Sequence, residues 1–399
     1  MAGITGMGDT FDLPNFVGDL FSISREDTPL LSAIGGLTGG TPVVGNTRFE
    51  WEYYDLRDAA VGRERLEGAD APTATARVRA NAFNVLQIVQ EAVEISYTKQ
   101  AAYTARDSAA EVAGTNPVTN EFAWQTKIAL QQIARDVNFS IINQTFQDPS
   151  DNTTVRKTRG LLAAISTNVI TPDETDIDLA SGVAATGVIT SDAAHGLEVG
   201  ERVQFDVLTG PTAGFSTDTD YFVRNVLTTT TFTVSATRGG AVNTWTTALT
   251  EGNCVSYPQV SAEYLGDAMQ AAYLAGGLQL GETRVAVCGP HQKRRLTDAL
   301  VTDKGYIEAT RNIGGVNVQT IETDFGALGI LIDRYMPDST IVLASLEELD
   351  IRFLNIPGKG FLFLEELAKT GAQEHAQIYG EWGLEYGNEL KHAKLTGLG

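Results

Sequence analysis

The stretch FEWEYYDLRDAAVGRERLEGADAPTATARVRANAFNVLQIVQEAVEI, Phe49–Ile95, decides how the chain is read. Phe49, Trp51 and Tyr53 alternate with Glu50 and Glu52, the period-two pattern of a half-buried strand. A return strand is expected from about Phe83 to Ile95, carried by Val85, Ile88, Val89, Val93 and Ile95. Within 57–79 five arginines (Arg57, Arg63, Arg65, Arg77, Arg79) face four acids (Asp58, Glu64, Glu67, Asp70). A polar, hairpin-like projection of this length has little to bury within its own subunit, and loops this long are usually functional or disordered. The pattern implies that something outside the subunit completes the projection.

Residues 1–45 lead into it and are rich in Gly, Thr and Pro, with Phe11, Phe16 and Phe21 among the apolar anchors. They read as an extended arm with one short helix near Pro29–Ile34, ended by Gly35-Gly36. Such an apolar arm needs a second surface to cover it. Downstream, Phe122, Leu130, Ile133, Val137 and Ile141 recur at helical spacing between Asn116-Pro117 and Asp148-Pro149. They predict a helix over 119–147, roughly 43 Å long at 1.5 Å per residue.

Residues 172–258 change character, with no lysine, three arginines, eleven acids and seventeen threonines. Val203, Phe205 and Val207 alternate with polar residues, Phe232 and Val234 alternate with threonines, and His195-Gly196, Gly200 and Gly239-Gly240 supply turns. This is the signature of a small all-β domain. Beyond it the sequence predicts a helix over 262–275, a strand over 284–288 and a helix opened by Pro290. Short strands follow over 316–321, 327–332 and within 340–354. The terminal stretch alternates Ile378, Trp382, Leu384 and Tyr386 against Glu381 and Glu385, which predicts a long antiparallel strand with one face open to water.

The chemistry of the chain is sparse. Cys254 and Cys288 are too few for a disulfide framework or a four-cysteine zinc site. The four histidines form no H-E-x-x-H pair, and no phosphate loop, dinucleotide fingerprint or nucleophile elbow occurs. The acid pairs Glu347-Glu348 and Glu365-Glu366 read as solvated surface. No catalytic residue, cofactor or metal ligand is therefore expected. The one basic cluster, HQKRR at His291–Arg295, reads as an exposed helix turn. A net charge of −21 argues against tight nucleic-acid binding. The start carries no signal-peptide pattern and no apolar run reaches membrane-spanning length, so a soluble, cytoplasmically made protein is expected.

Seven segments, in order, carry a resemblance. They are TFDLPNFVGDLFSI (Thr10–Ile23), TPLLSAIGG (Thr28–Gly36), EAVEISYTKQ (Glu91–Gln100) and RKTRGLLAAIST (Arg156–Thr167), then CGPHQKRRL (Cys288–Leu296), IETDFGALGILIDRYMP (Ile321–Pro337) and LAKTGAQEHAQIYGEWGLEYGNELKHAKLTGL (Leu367–Leu398). Nearly the whole chain outside 172–258 resembles the major capsid (major head) proteins of tailed bacteriophages. The resemblance implies an α+β, HK97-like capsid fold: N-terminal arm 1–46, extended loop 47–100, spine helix and first part of a peripheral domain 101–171. An inserted β-rich domain follows at 172–258, then an axial domain 259–356 and peripheral strands with the C-terminus at 357–399. Without the insertion, 312 residues remain, a normal size for this fold.

The same resemblance implies a non-enzymatic subunit that self-assembles into hexameric and pentameric capsomers of an icosahedral head around double-stranded DNA. It implies a separate scaffolding protein, a portal and a decoration protein as partners, and no membrane. Encapsulin-like shells and tail or adhesion proteins are the alternatives. Assembly contacts are expected at Phe11, Phe16 and Phe21 of the arm and at Arg57, Arg63, Arg65, Arg77 and Arg79 of the loop.

Some shells of this fold are cross-linked through a loop lysine, whereas the first lysine here is Lys99, beyond the loop tip. Boiling assembled particles in detergent is therefore expected to release single subunits on a denaturing gel; a ladder of covalent multimers would contradict this.

Overall fold

The computed structural model describes residues 27–37, 43–54, 56–57, 59–74, 76–99, 121–209, 215–245, 249–278, 282–302, 308–313, 316–368 and 371–399. The arm residues Phe11, Phe16 and Phe21 lie outside them. No helix among the described residues is long and apolar enough to cross a membrane.

The spine helix runs Glu121–Asn143. Ala129, Ile133, Val137 and Ile141 form its buried stripe, whereas Leu130, expected inside, is exposed. The helix also stops short of the expected residue 147. Its end is held by Gly160, whose N–H donates to the Gln144 carbonyl at 2.9 Å. A Cβ at Gly160 would sit 2.8 Å from the backbone of Ser140 and Gln144, so only glycine allows this approach.

Two sheets share one apolar core with the spine. The first is built on the long strand Gln373–Glu385. Gln87–Ser96 pairs along one edge, Leu362–Glu366 and Asp350–Leu354 along the other, and Val43–Val44 adds in parallel to Asp350–Leu354. The return strand expected over Phe83–Ile95 is thus two strands. Arg79–Val85 pairs only with Arg48–Tyr54, while Gln87–Ser96 joins the sheet. The break falls at buried Leu86, whose N–H bonds the Thr47 carbonyl at 2.8 Å and turns the chain between them.

One face of Gln373–Glu385 was expected to be open to water. Instead Glu381 is buried, paired with Arg156 at 3.0 Å and accepting from the Tyr379 hydroxyl at 2.8 Å. The segment after the spine helix covers that face, and Thr158 accepts the Leu384 N–H at 3.1 Å.

The second sheet has seven strands. In order they are Glu308–Ile313, Val316–Thr323, Gly326–Ile332, Arg284–Cys288, Ile341–Ser345, Ala393–Leu395 and Val169–Ile170. The strand Glu308–Ile313 was not foreseen. Arg284–Cys288 is buried throughout and feeds two cores by alternation. Val285 and Val287 point to the spine core, which Val342, Leu331 and Trp382 also enter. Ala286 and Cys288 point to a second core under the helices Ala262–Leu274 and Pro290–Thr297. Ser261 caps the first of these helices by accepting the Tyr264 N–H at 3.2 Å.

Residues 175–256 form a closed, antiparallel six-stranded barrel with its own core. Val203 and Phe205 point inward, but Val207 is exposed. The cause is a bulge: Asn253 pairs with Val207 while Cys254 pairs with Phe205, so Asp206 is the extra residue and the alternation changes phase.

A buried polar node fastens the arm helix Pro29–Ala33 to this frame. Asn138 of the spine accepts the Leu31 N–H at 2.9 Å and donates to Asp333 at 2.8 Å; Asp333 also accepts the Tyr335 N–H at 2.9 Å. Burial pushes the Asp333 carboxyl above its usual range. Asn138→Ala leaves a buried backbone N–H and a buried carboxylate short of partners. It is expected to cost about 1–3 kcal/mol of stability, measurable as a lower urea midpoint for the spine core.

Candidate assembly surfaces

The finger is a two-stranded ribbon, Arg48–Tyr54 with Arg79–Val85, whose strands pair with each other and with neither sheet. Its base is fixed by side chains that the sequence reading passed over. Asn84, fully buried, donates to the Leu384 carbonyl at 2.7 Å and accepts the Arg159 N–H at 2.8 Å. Trp51 donates to the Gly387 carbonyl at 2.7 Å and meets Tyr386 edge-on at 4.9 Å. Arg48 stacks over Phe83 at 3.8 Å and Arg159 over Phe146 at 4.3 Å. A Cβ at Gly383 would lie 2.6 Å from the Phe49 ring, so the ribbon seats against the long strand only because that residue is glycine.

Past this base, all of the described part of 56–74 and 76–78 is exposed. Leu56, Val61, Leu66 and Val78 are 72%, 96%, 85% and 82% exposed, far above what large aliphatic residues show in a finished surface. Arg63, Arg65 and Arg77 make no ion pair or hydrogen bond with any described residue. Arg57 has a partner within the subunit. Arg79 is tied to Glu52 across its own ribbon at 2.6 Å, so it is less available to a neighbour than its sequence position suggested. Being exposed, that pair contributes at most about 1 kcal/mol.

The HQKRR cluster is not the exposed turn expected. Gln292 is buried and donates to the carbonyls of Asp338 and Gly399, while buried Lys293 donates to the Thr297 hydroxyl at 3.0 Å. His291, Arg294 and Arg295 face the barrel across a cleft.

The acid pairs and the buried thiols and imidazoles have ordinary structural roles. Glu347 accepts the Thr283 N–H, Glu348 pairs with Lys391 and Glu365 with Lys359. Burial pushes the thiols of Cys254 and Cys288 up to about 12, and they lie in separate cores. His195 and His392 are buried and hydrogen-bonded. Among the described residues no group of three or more His, Cys, Asp or Glu is placed to hold a metal ion.

The geometry is that of a mixed helix-and-sheet fold with a projection left bare at its tip. The fold agrees with the capsid asymmetric unit of cyanophage A-1(L), at a TM-score of 0.55 and 13% identity over 96% of each chain. The capsid of cyanophage P-SCSP1u is similar at 0.47 and 12%, covering 99% of this chain and 96% of the other. The holo-SrpI encapsulin complex of Synechococcus elongatus PCC 7942 is similar at 0.44 and 10%, covering 90% and 84%. No curated protein sequence matches. The family profile described as SU10 major capsid protein matches residues 3–399, and the chain belongs to that family. It is a structural protein of the phage virion capsid, with the HK97-like fold.

Free subunits are expected to be cut by trypsin first at Arg63, Arg65 and Arg77, the exposed and unpaired arginines of the finger. Mass spectrometry of the early fragments checks this; a first cut within the spine helix or the barrel would contradict it.

Proposed function

We propose that the finger and the arm carry the contacts between copies, and that the copies form hexameric and pentameric capsomers which close around double-stranded DNA. The observation that supports this best is the finger itself: four exposed aliphatic side chains and three unpaired arginines on a ribbon whose base is rigidly held. Burying such aliphatic groups on a neighbour contributes about 25 cal/mol per Å² of apolar area removed from water. Repeated over many copies, a weak contact becomes a stable shell. The subunit is strongly acidic, so each neighbour offers carboxylates to the finger's arginines. Assembly takes place in the bacterial cytoplasm, with a separate scaffolding protein, a portal and a decoration protein as partners.

Replacing Arg63, Arg65, Arg77 and Arg79 together by glutamate is expected to leave a folded subunit by circular dichroism while abolishing closed shells in negative-stain micrographs. Shells of normal size and yield from that variant would refute the role given to the finger.

A further inference from the structure

Basic side chains from two parts of the chain meet across a cavity of about 270 Å³ between the barrel and the helix Pro290–Thr297. Arg238 comes from the turn after the barrel strand Thr231–Ser235. His291, Arg294 and Arg295 come from the helix Pro290–Thr297. The Val199-Gly200 turn completes the wall, and Asp298 is the one acid in the lining. Three arginines against one aspartate leave the lining at +2 in a chain of −21. Asp338 and Glu201 lie close enough to act on these charges, yet neither is within 4.0 Å of Arg238, Arg294 or Arg295 as an ion pair.

Arg238 is the most committed of the group. Its guanidinium lies over the Phe222 ring at 4.4 Å and donates to the Gly200 carbonyl, while its buried Nε has no partner. Burial, with Arg295 and Arg202 adding repulsion, pushes its pKa down. The buried Nε2 of His291 also has no partner. Burial, then Arg238 and Arg295, hold that imidazole down to about 4, so it is neutral at pH 7, with a backbone hydrogen bond to Gly399. Like charges gathered in a partly desolvated cavity, with the orphaned Nε–H of Arg238 among them, are unfavourable until an anion arrives.

Guanidinium forks converging from two sides suit a tetrahedral oxyanion, which accepts hydrogen bonds from several directions at once. The cavity has room for such a group. We propose that this cavity binds a phosphate group and that the bound group joins the barrel to the helix beneath it. The phosphate is either free in solution or part of a nucleic-acid backbone.

The test is thermal unfolding of the full chain at pH 7 in inorganic phosphate, against chloride at matched ionic strength. A saturable rise in Tm is expected, with half-saturation on the order of 1 mM. The double variant R294Q/R295Q changes only exposed or half-exposed side chains, and its folding is to be checked by circular dichroism. It is expected to need about tenfold more phosphate or more for the same rise. An equal saturable response in wild type and variant overturns the proposal, because general salting effects survive the substitutions. A wild-type response that never saturates also overturns it. Phosphorus NMR of bound phosphate with a short DNA duplex added then assigns the source. Displacement by the duplex points to a nucleic-acid phosphate and persistence to the free ion, the site standing in either case.

Discussion

The arrangement depends on one shared apolar core. Leu30 and Leu31 of the arm helix, the stripe Ala129–Ile133–Val137–Ile141 of the spine, Trp382 of the first sheet and Val285 and Val287 of the second all enter it. Neither sheet could keep its present orientation if this core were loosened, because the spine lies against both. Fully burying a large aliphatic or aromatic side chain contributes about 1.5–3 kcal/mol. Against that background the Asn138–Asp333 node adds direction rather than bulk strength. Its hydrogen bonds accept only one placement of the arm helix.

The finger's rigidity at the base and exposure at the tip follow from the same frame. Its inner end is locked by Asn84, Trp51 and the close approach at Gly383. Its outer end buries nothing. A projection that is anchored at one end and bare at the other loses less conformational entropy on docking than a free loop would. This suits a protein whose family is defined by building capsids.

Much of the frame was legible in the sequence because it rests on periodicity. The helical recurrence Ile133–Val137–Ile141 reflects one buried face, and the alternation Phe49–Trp51–Tyr53 a strand whose cover thins from buried Phe49 to exposed Tyr53; each element formed. The misses occurred where tertiary contacts override local pattern. Leu86 sits within one strand-like stretch, Phe83 to Ile95, and nothing local says that two different sheets claim its halves. The bulge at Asp206 moves Val207 outward although the alternation is perfect on paper. Glu381 looked like solvent face because its cover, Arg156, is 225 residues distant. The finger's arginines were legible as a group from their contrast with an acidic chain. That Arg79 pairs with Glu52 while Arg63, Arg65 and Arg77 stay free depends on the ribbon's register. The seam around Arg238 was not legible, since its residues come from three separate segments, at 199–200, 238 and 291–298.

The attachment of the barrel has a consequence for how such chains diversify. The entering segment runs beside the last strand, with the Thr396 N–H bonded to the Ile170 carbonyl at 2.9 Å and Gly397 against the Thr171 side chain. The departing segment meets residue 399, whose N–H bonds the Pro258 carbonyl at 2.9 Å. Residues 396–399 therefore clasp both necks of the module, so its two ends emerge side by side. A unit held this way closes on itself and asks nothing of the strand order beneath it. Evolution can enlarge, exchange or delete it as a cassette, and a foreign domain with neighbouring termini would meet the same geometric welcome at Thr171 and Pro258.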